Sequence, residues 1–281
     1  MNAVNTEPMR IHAARHGRWS RGTPGKAVDT RHHARVLLAF ALLLPGLSTA
    51  NPGATHAVDR SSYLAPRAKT APVVDGVADE SVWAAAPWQE LSHRWLGPEF
   101  SAEDFQGRYK VVWTADRIYI LAEIVDDVLR DSHRDPLVQY WDDDCLEIFI
   151  DEDHSGGDHQ YNHNAFAYHF SLDNKAIDIG TDRLPHDYSD HVESRWQQTG
   201  NKIVWEVSIA VFDDGYVDGA SDNEKVALDE GKILGLMVAY CDNDGSEIRE
   251  NFIGSESVPS GPTDRGWIDA GIFGTLELTG P

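Results

Sequence analysis

The sequence predicts an all-β protein, an antiparallel β-sandwich of jelly-roll-like form in a single domain. Three observations carry this: apolar runs with a two-residue period from Arg108 onward, turn signals between them, and weak helical periodicity. Many short antiparallel strands in one chain bury their apolar faces best by packing sheet on sheet. About 230 residues beyond the leader suit one large β-domain, and no Pro/Gly/Ser linker or internal repeat divides them.

The chain opens with a segment set aside from the fold. Arg31 to Arg35 carry positive charge, Val36 to Leu44 form a short apolar core, and Pro45 and Gly46 break it before Ser48 and Ala50. This is a secretory signal pattern, too short to span a bilayer, with cleavage expected before Asn51 or, second, after Ala57, and a true start as late as Met9. Residues 1–50 are read as leader and signal, 51–70 as an extended N-terminal segment, and 71–281 as the β-domain of an exported protein, periplasmic or extracellular.

Within the domain, Asp79 to Ala86 is the short helical candidate. "YKVVWTADRIYILAEIVDD" reads as a hairpin turning at Ala115-Asp116-Arg117, and "FAYHFSLDNKAIDIG" as another turning at Asp173-Asn174. "TGNKIVWEVSIAVF" places Ile203, Trp205, Val207, Ile209 and Val211 on one face, and "KILGLMVAYCDND" and "GIFGTLELTG" supply further strands. In "QYWDDDCLEIFIDED" the same period puts Leu146, Ile148 and Ile150 on one face and Cys145, Glu147 and Phe149 on the other, with Trp141 in phase if the strand reaches back to it. The three aspartates before it are residues that hold a chain in water.

Charge limits the partners. The first 50 residues hold 7 of the 24 Lys and Arg and 2 of the 46 Asp and Glu, leaving 17 against 44 and a formal charge of about −27. A phosphate backbone is not a partner for such a chain. Clustered carboxylates suit bound cations or a solvated acidic surface. The loop "DEDHSGGDHQYNH" gathers Asp151, Asp153 and Asp158 around a Gly156-Gly157 bend, hard oxygen ligands suited to Ca²⁺. Its histidines have no cysteine partners or metalloprotease spacing to make a zinc site. Cys145 and Cys241 are the two cysteines, and each ends an apolar run at a polar edge; one disulfide and two buried thiols are both open.

Trp141 and Trp267 sit at turn-rich ends of strands. An indole there is either an edge aromatic of the core or a platform for the apolar face of a pyranose ring, with Glu147 as a hydrogen-bond acceptor for the hydroxyls. An indole in the "RGW" loop is expected to bear little core load, and Trp141, beside a central strand, somewhat more.

Four segments in order, "APVVDGVADESVWAAAP", "YKVVWTADRIYILAEIVDD", "YWDDDCLEIFIDED" and "RGWIDAGIFGTLEL", resemble family 9 carbohydrate-binding modules over nearly the whole of 71–281. The resemblance implies a non-catalytic β-sandwich that binds mono- or oligosaccharides, serves polysaccharide breakdown beside a glycan-degrading enzyme, and carries structural Ca²⁺. It implies a sugar held between Trp141 and Trp267 and bonded by Glu147. His169 falls where better-known members carry arginine, and Asp264 where they carry asparagine. Segments 183–195 and 212–232 lengthen loops beyond the compact family pattern.

Two other readings remain open. Glu147 with a nearby aspartate could serve glycoside hydrolysis. Related β-sandwiches hold haem, for which Met237 is the one sulfur beyond the leader for Met/His ligation, with bis-His ligation the other choice.

Overall fold

The computed structural model describes residues 60–258 and 264–281, so the expected leader lies outside the described residues. The strands begin with β1 (Ser62–Pro66), β2 (Gln89–Leu91), β3 (His93–Leu96), β4 (Phe105–Trp113) and β5 (Ile118–Asp126). They continue with β6 (Cys145–Asp151), β7 (Phe166–Ser171), β8 (Ala176–Ile179), β9 (Pro185–Asp187) and β10 (Val192–Thr199). The last four are β11 (Lys202–Ile209), β12 (Ile233–Asp242), β13 (Asn251–Gly254) and β14 (Gly274–Thr279).

Two sheets result. A nine-stranded sheet runs β1-β14-β12-β6-β7-β8-β9, with β13 beside β12 and β3 beside β13; a five-stranded sheet runs β10-β11-β5-β4-β2. The sandwich expected from alternation is the one observed. Among the described strands the one departure from antiparallel pairing is β1 on β14, which are parallel. The segment before residue 71 thus contributes a strand to the sheet. Among the described residues no helix is long and apolar enough to cross a membrane.

The period-two faces explain the packing. Leu146, Ile148 and Ile150 of β6 join Ile120 and Ile124 of β5 and Ile203, Trp205, Val207 and Ile209 of β11 in one buried cluster. Truncating a fully buried indole such as Trp113 or Trp205 costs about 3–5 kcal/mol. Both expected hairpins form: Thr114 N–H donates to the Arg117 carbonyl between β4 and β5, and Asn174 takes a positive φ between β7 and β8. Of the two long inserts, 183–195 supplies β9 and the start of β10, while 212–232 returns Tyr216 and Leu228 to the main core.

The helical candidate at Asp79 to Ala86 is a single 3₁₀ turn, Ser81–Ala84. It carries Trp83 onto the outer face of the five-stranded sheet, against Val112, Tyr119 and Leu121. Glu206 of β11 anchors this segment, accepting from the indole Nε1 of Trp83 at 3.1 Å and from the amides of Asp75 and Gly76. Gly76 has φ +82°, and a Cβ there would lie 2.8 Å from the Trp196 carbonyl carbon, so the turn requires glycine.

Candidate functional site

The second face of β6 builds the site. Cys145 and Phe149 join Met237, Ala239 and Cys241 of β12, Phe252 of β13 and Phe273 in a separate buried cluster on the outer side of the nine-stranded sheet. Glu147 rises from this floor between Ala239 and His169, its partners across β12 and β7. It is only 2 % exposed and is held from three sides. His169 Nε2 lies 2.9 Å from its Oε1, Arg249 Nη1 lies 3.4 Å from the same oxygen, and the Cys241 thiol donates to it at 2.9 Å. Burial alone would push this carboxyl up, but the imidazole and the guanidinium more than offset it and hold it below the usual range. His169 Nδ1 also lies 3.0 Å from the Ala167 carbonyl, so both ring nitrogens face acceptors.

The aspartate run is buried rather than solvated. Asp142, Asp143 and Asp144 are at most 8 % exposed because main-chain amides from distant loops replace water. Asp143 accepts from Ser132 and His133, Asp144 from Arg130 and Asn243, and Asp142 from Arg249. Burial, with Asp126 nearby, pushes Asp144 up to about 9. The three side chains tie two loops to the start of β6. Trp141 lies in the turn before the strand, which does not reach back to it, so the turn rather than the strand period sets its direction.

A cavity of about 380 Å³ opens over Glu147 and Phe149. Trp141, Glu147, His169, Asp264 and Trp267, the five residues expected for sugar contact, all line it. Trp141 is 39 % exposed and meets Tyr140 edge-on at 4.9 Å, while Trp267 meets Tyr161 edge-on at 5.7 Å. Trp267 closes a short 3₁₀ turn, Arg265–Trp267, and packs against the floor cluster. The expected division of load is thus reversed: Trp267 supports the floor and Trp141 is the freer indole. Tyr140, Tyr161, Arg183, Arg249 and Phe252 also line the cavity and were not expected. Arg183 stacks 4.7 Å over the Tyr161 ring, and Arg249 4.1 Å over Phe252. A larger groove of about 930 Å³ runs along β10, lined by residues such as Arg117, Asn174 and Glu193, but it offers no indole.

Residues 74–281 match the family described as Carbohydrate family 9 binding domain-like. The chain belongs to this family. It is 23% identical over 209 residues to endo-1,4-beta-xylanase A of Thermotoga maritima, covering 74% of this chain and 17% of that protein. It is 24% identical over 210 residues to exoglucanase XynX of Acetivibrio thermocellus, covering 74% of this chain and 16% of that protein. The chain therefore spans a small fraction of the length of these relatives. Among solved structures it is similar to a family 9 carbohydrate-binding module from Caldicellulosiruptor kristjanssonii in complex with glucose, with TM-score 0.58, 18% identity, and 79% of this chain and 97% of that chain covered. A structure of a family 9 module from the same organism with cellotriose gives TM-score 0.57 at 19% identity, covering 79% and 95%. These likenesses confirm the fold as that of a family 9 β-sandwich.

The cation candidates divide differently from the expectation. Asp151 is buried with Oδ2 accepting from Gly156 and Oδ1 unpartnered, and Asp153 and Asp158 each accept an amide two residues on. Asp158 is exposed, and the three do not form a set of ligand oxygens within 4.8 Å. Among the described residues two such carboxylate sets occur, Asp126 with Asp242 and Asp244, and Asp104 with Asp127 and Asp244. Oδ1 of Asp242 and of Asp244 are buried without a hydrogen-bond partner. Burial, with Asp126 close by, pushes Asp242 up to about 8, and burial with Asp127 pushes Asp244 up to about 6. Orphaned oxygens in an all-carboxylate set fit a hard divalent cation.

Cys145 and Cys241 are both free and fully buried, directly opposite one another on β6 and β12. Met237, the sulfur considered for haem, is fully buried in the floor cluster and does not line the cavity.

Proposed function

We propose that the protein binds carbohydrate in the cavity over β6, with a sugar ring stacked on Trp141 and Trp267 and its hydroxyls met by Glu147 and His169. One observation carries this reading: an exposed indole, a second indole set on the floor and a charge-balanced buried carboxylate line the same cavity. Two sugar faces covering ~100 Å² each would contribute about 5 kcal/mol, and a hydrogen bond to the charged Glu147 about 1.5–3 kcal/mol more. Ordering costs reduce this to micromolar to millimolar affinity. The glucose and cellotriose named for the similar structures are the first ligands to test.

Glu147 serves as an acceptor in this reading. A general acid for glycoside hydrolysis needs a raised pKa, and His169 and Arg249 act in the opposite direction. Ca²⁺ at Asp126, Asp242 and Asp244 would stabilise strand ends of both sheets. The protein would act after export, beside polysaccharide-degrading enzymes. Titration calorimetry with glucose and cellotriose, alongside a product assay on the cellotriose, tests the proposal; heat without cleavage supports it, and cleavage or the absence of binding across a glycan panel overturns it.

A further inference from the structure

Beneath the cavity lie the two thiols, and neither the stacking indoles nor the hydrogen-bonding pair accounts for them. Cys145 and Cys241 come from strands far apart in sequence yet stand directly opposite in the antiparallel register of β6 and β12. Opposed residues in such a ladder have Cα atoms about 4.5–5.5 Å apart, within the range of about 4.4–6.8 Å that a disulfide spans. Both sulfurs and a Glu147 oxygen lie within 4.8 Å of one another. Cys241 is also wired to the cavity: its thiol donates to Glu147 Oε1 at 2.9 Å, and Arg249 Nη1 lies 3.1 Å from its sulfur.

We propose that Cys145 and Cys241 are an oxidative modification site, closing to a cross-strand disulfide that weakens carbohydrate binding through Glu147 and Arg249. This rests on the carbohydrate-binding reading of the cavity. In the step, two S–H bonds break and one S–S bond forms; the two electrons and two protons pass to a disulfide oxidant such as oxidised glutathione, which leaves as two thiols. The Cys241 donor to Glu147 is lost. Arg249, freed from the sulfur, moves fully onto the carboxylate and occupies the acceptor position a sugar hydroxyl would use. Burial pushes both thiols up and shields them, so exchange in the folded protein is slow and the redox state is set as the chain folds.

The full chain is unfolded in urea and refolded with either oxidised glutathione or a reductant, then alkylated under denaturing conditions, mapped by mass, and titrated with glucose and cellotriose. The expected result is a linked Cys145–Cys241 peptide with no alkylation after oxidative refolding, and affinity lower than in the reduced form on the order of tenfold, the loss of one charge-assisted hydrogen bond. Cys145→Ala, which keeps the Cys241 thiol on Glu147, should bind like the reduced form under both conditions. Two alkylated cysteines after oxidative refolding overturn the cross-link. Equal affinities of the linked and reduced forms overturn its effect on the cavity. If neither form binds sugar, the functional reading fails and the affinity shift with it, while the mass map still decides the cross-link.

Discussion

Glu147 and His169 face each other across β6 and β7, with Nε2 of the imidazole 2.9 Å from Oε1 of the carboxylate. The pair is buried, and Arg249 completes it from the side of β12. Glu147→Gln would leave a guanidinium with 13% side-chain exposure opposite a neutral amide. Breaking a buried ion pair from one side costs about 3 kcal/mol or more, so urea denaturation should show that loss. Sugar affinity should fall on the order of tenfold with it.

The two indoles separate binding from stability. Trp141→Ala should abolish measurable sugar binding and leave the melting temperature nearly unchanged, because the side chain sits on a turn and is 39 % exposed. Trp267→Ala should also abolish binding but lose about 1–3 kcal/mol, since a partly buried ring leaves the floor cluster. Calorimetry and thermal melts on the same samples measure both. Near-normal affinity in both variants would return these residues to a purely structural role.

Chelation tests the cation set. EDTA should lower the melting temperature, and added Ca²⁺ should restore it, because carboxylates left without the ion repel one another. Asp242→Asn should blunt that response, whereas Asp153→Asn in the glycine-bend loop should keep it. The reverse pattern would put the ion at Asp151 and Asp153 instead.

Acid should weaken the protein partly through His191. Burial lowers its pKa from 6.5 to about 4, with Asp190 opposing; its Nε2 bonds the Tyr168 hydroxyl, while Nδ1 lies 3.4 Å from Asp190 without making a hydrogen bond. A base with a lowered folded pKa contributes stability that is present above pH 6.5 and is lost as the pH falls toward 4. His191→Phe should flatten the pH dependence of stability in that window by up to about 1.4 kcal/mol per pH unit, whatever its cost at neutral pH. Asp178, pushed up to about 7 by burial, acts with the opposite sign, so the difference between variant and parent slopes is the quantity to read.

Alternation made most of the fold legible. Leu146, Ile148 and Ile150 fall in the main core and Cys145, Glu147 and Phe149 on the other face, as the period requires. The same logic reached Glu147 and, with the family resemblance, Trp141, Trp267, His169 and Asp264, all of which line one cavity. Long-range partners were not legible. Nothing local in "WDDDC" shows that amides of Ser132 and Asn243 will satisfy its carboxylates. Arg249 reaches Glu147 from a loop, and its charge looks like surface composition until β12 and β6 are paired. The carboxylate set needed Asp126 of β5 to meet Asp242 of β12 across the sheets, although "VDD" and "DND" at strand ends were the available signal.

The pairing of β1 with β14 also has a mechanical meaning. Ser62 lies opposite Thr275 and Pro66 opposite Thr279, so the first and last of the described strands run side by side in the same direction. Tension applied through the two ends of the described domain pulls β1 backward and β14 forward, loading their hydrogen bonds in shear and all together. An unzipping geometry would break them one at a time. Pulled by its two ends, the described domain would resist stretching at the seam between β1 and β14.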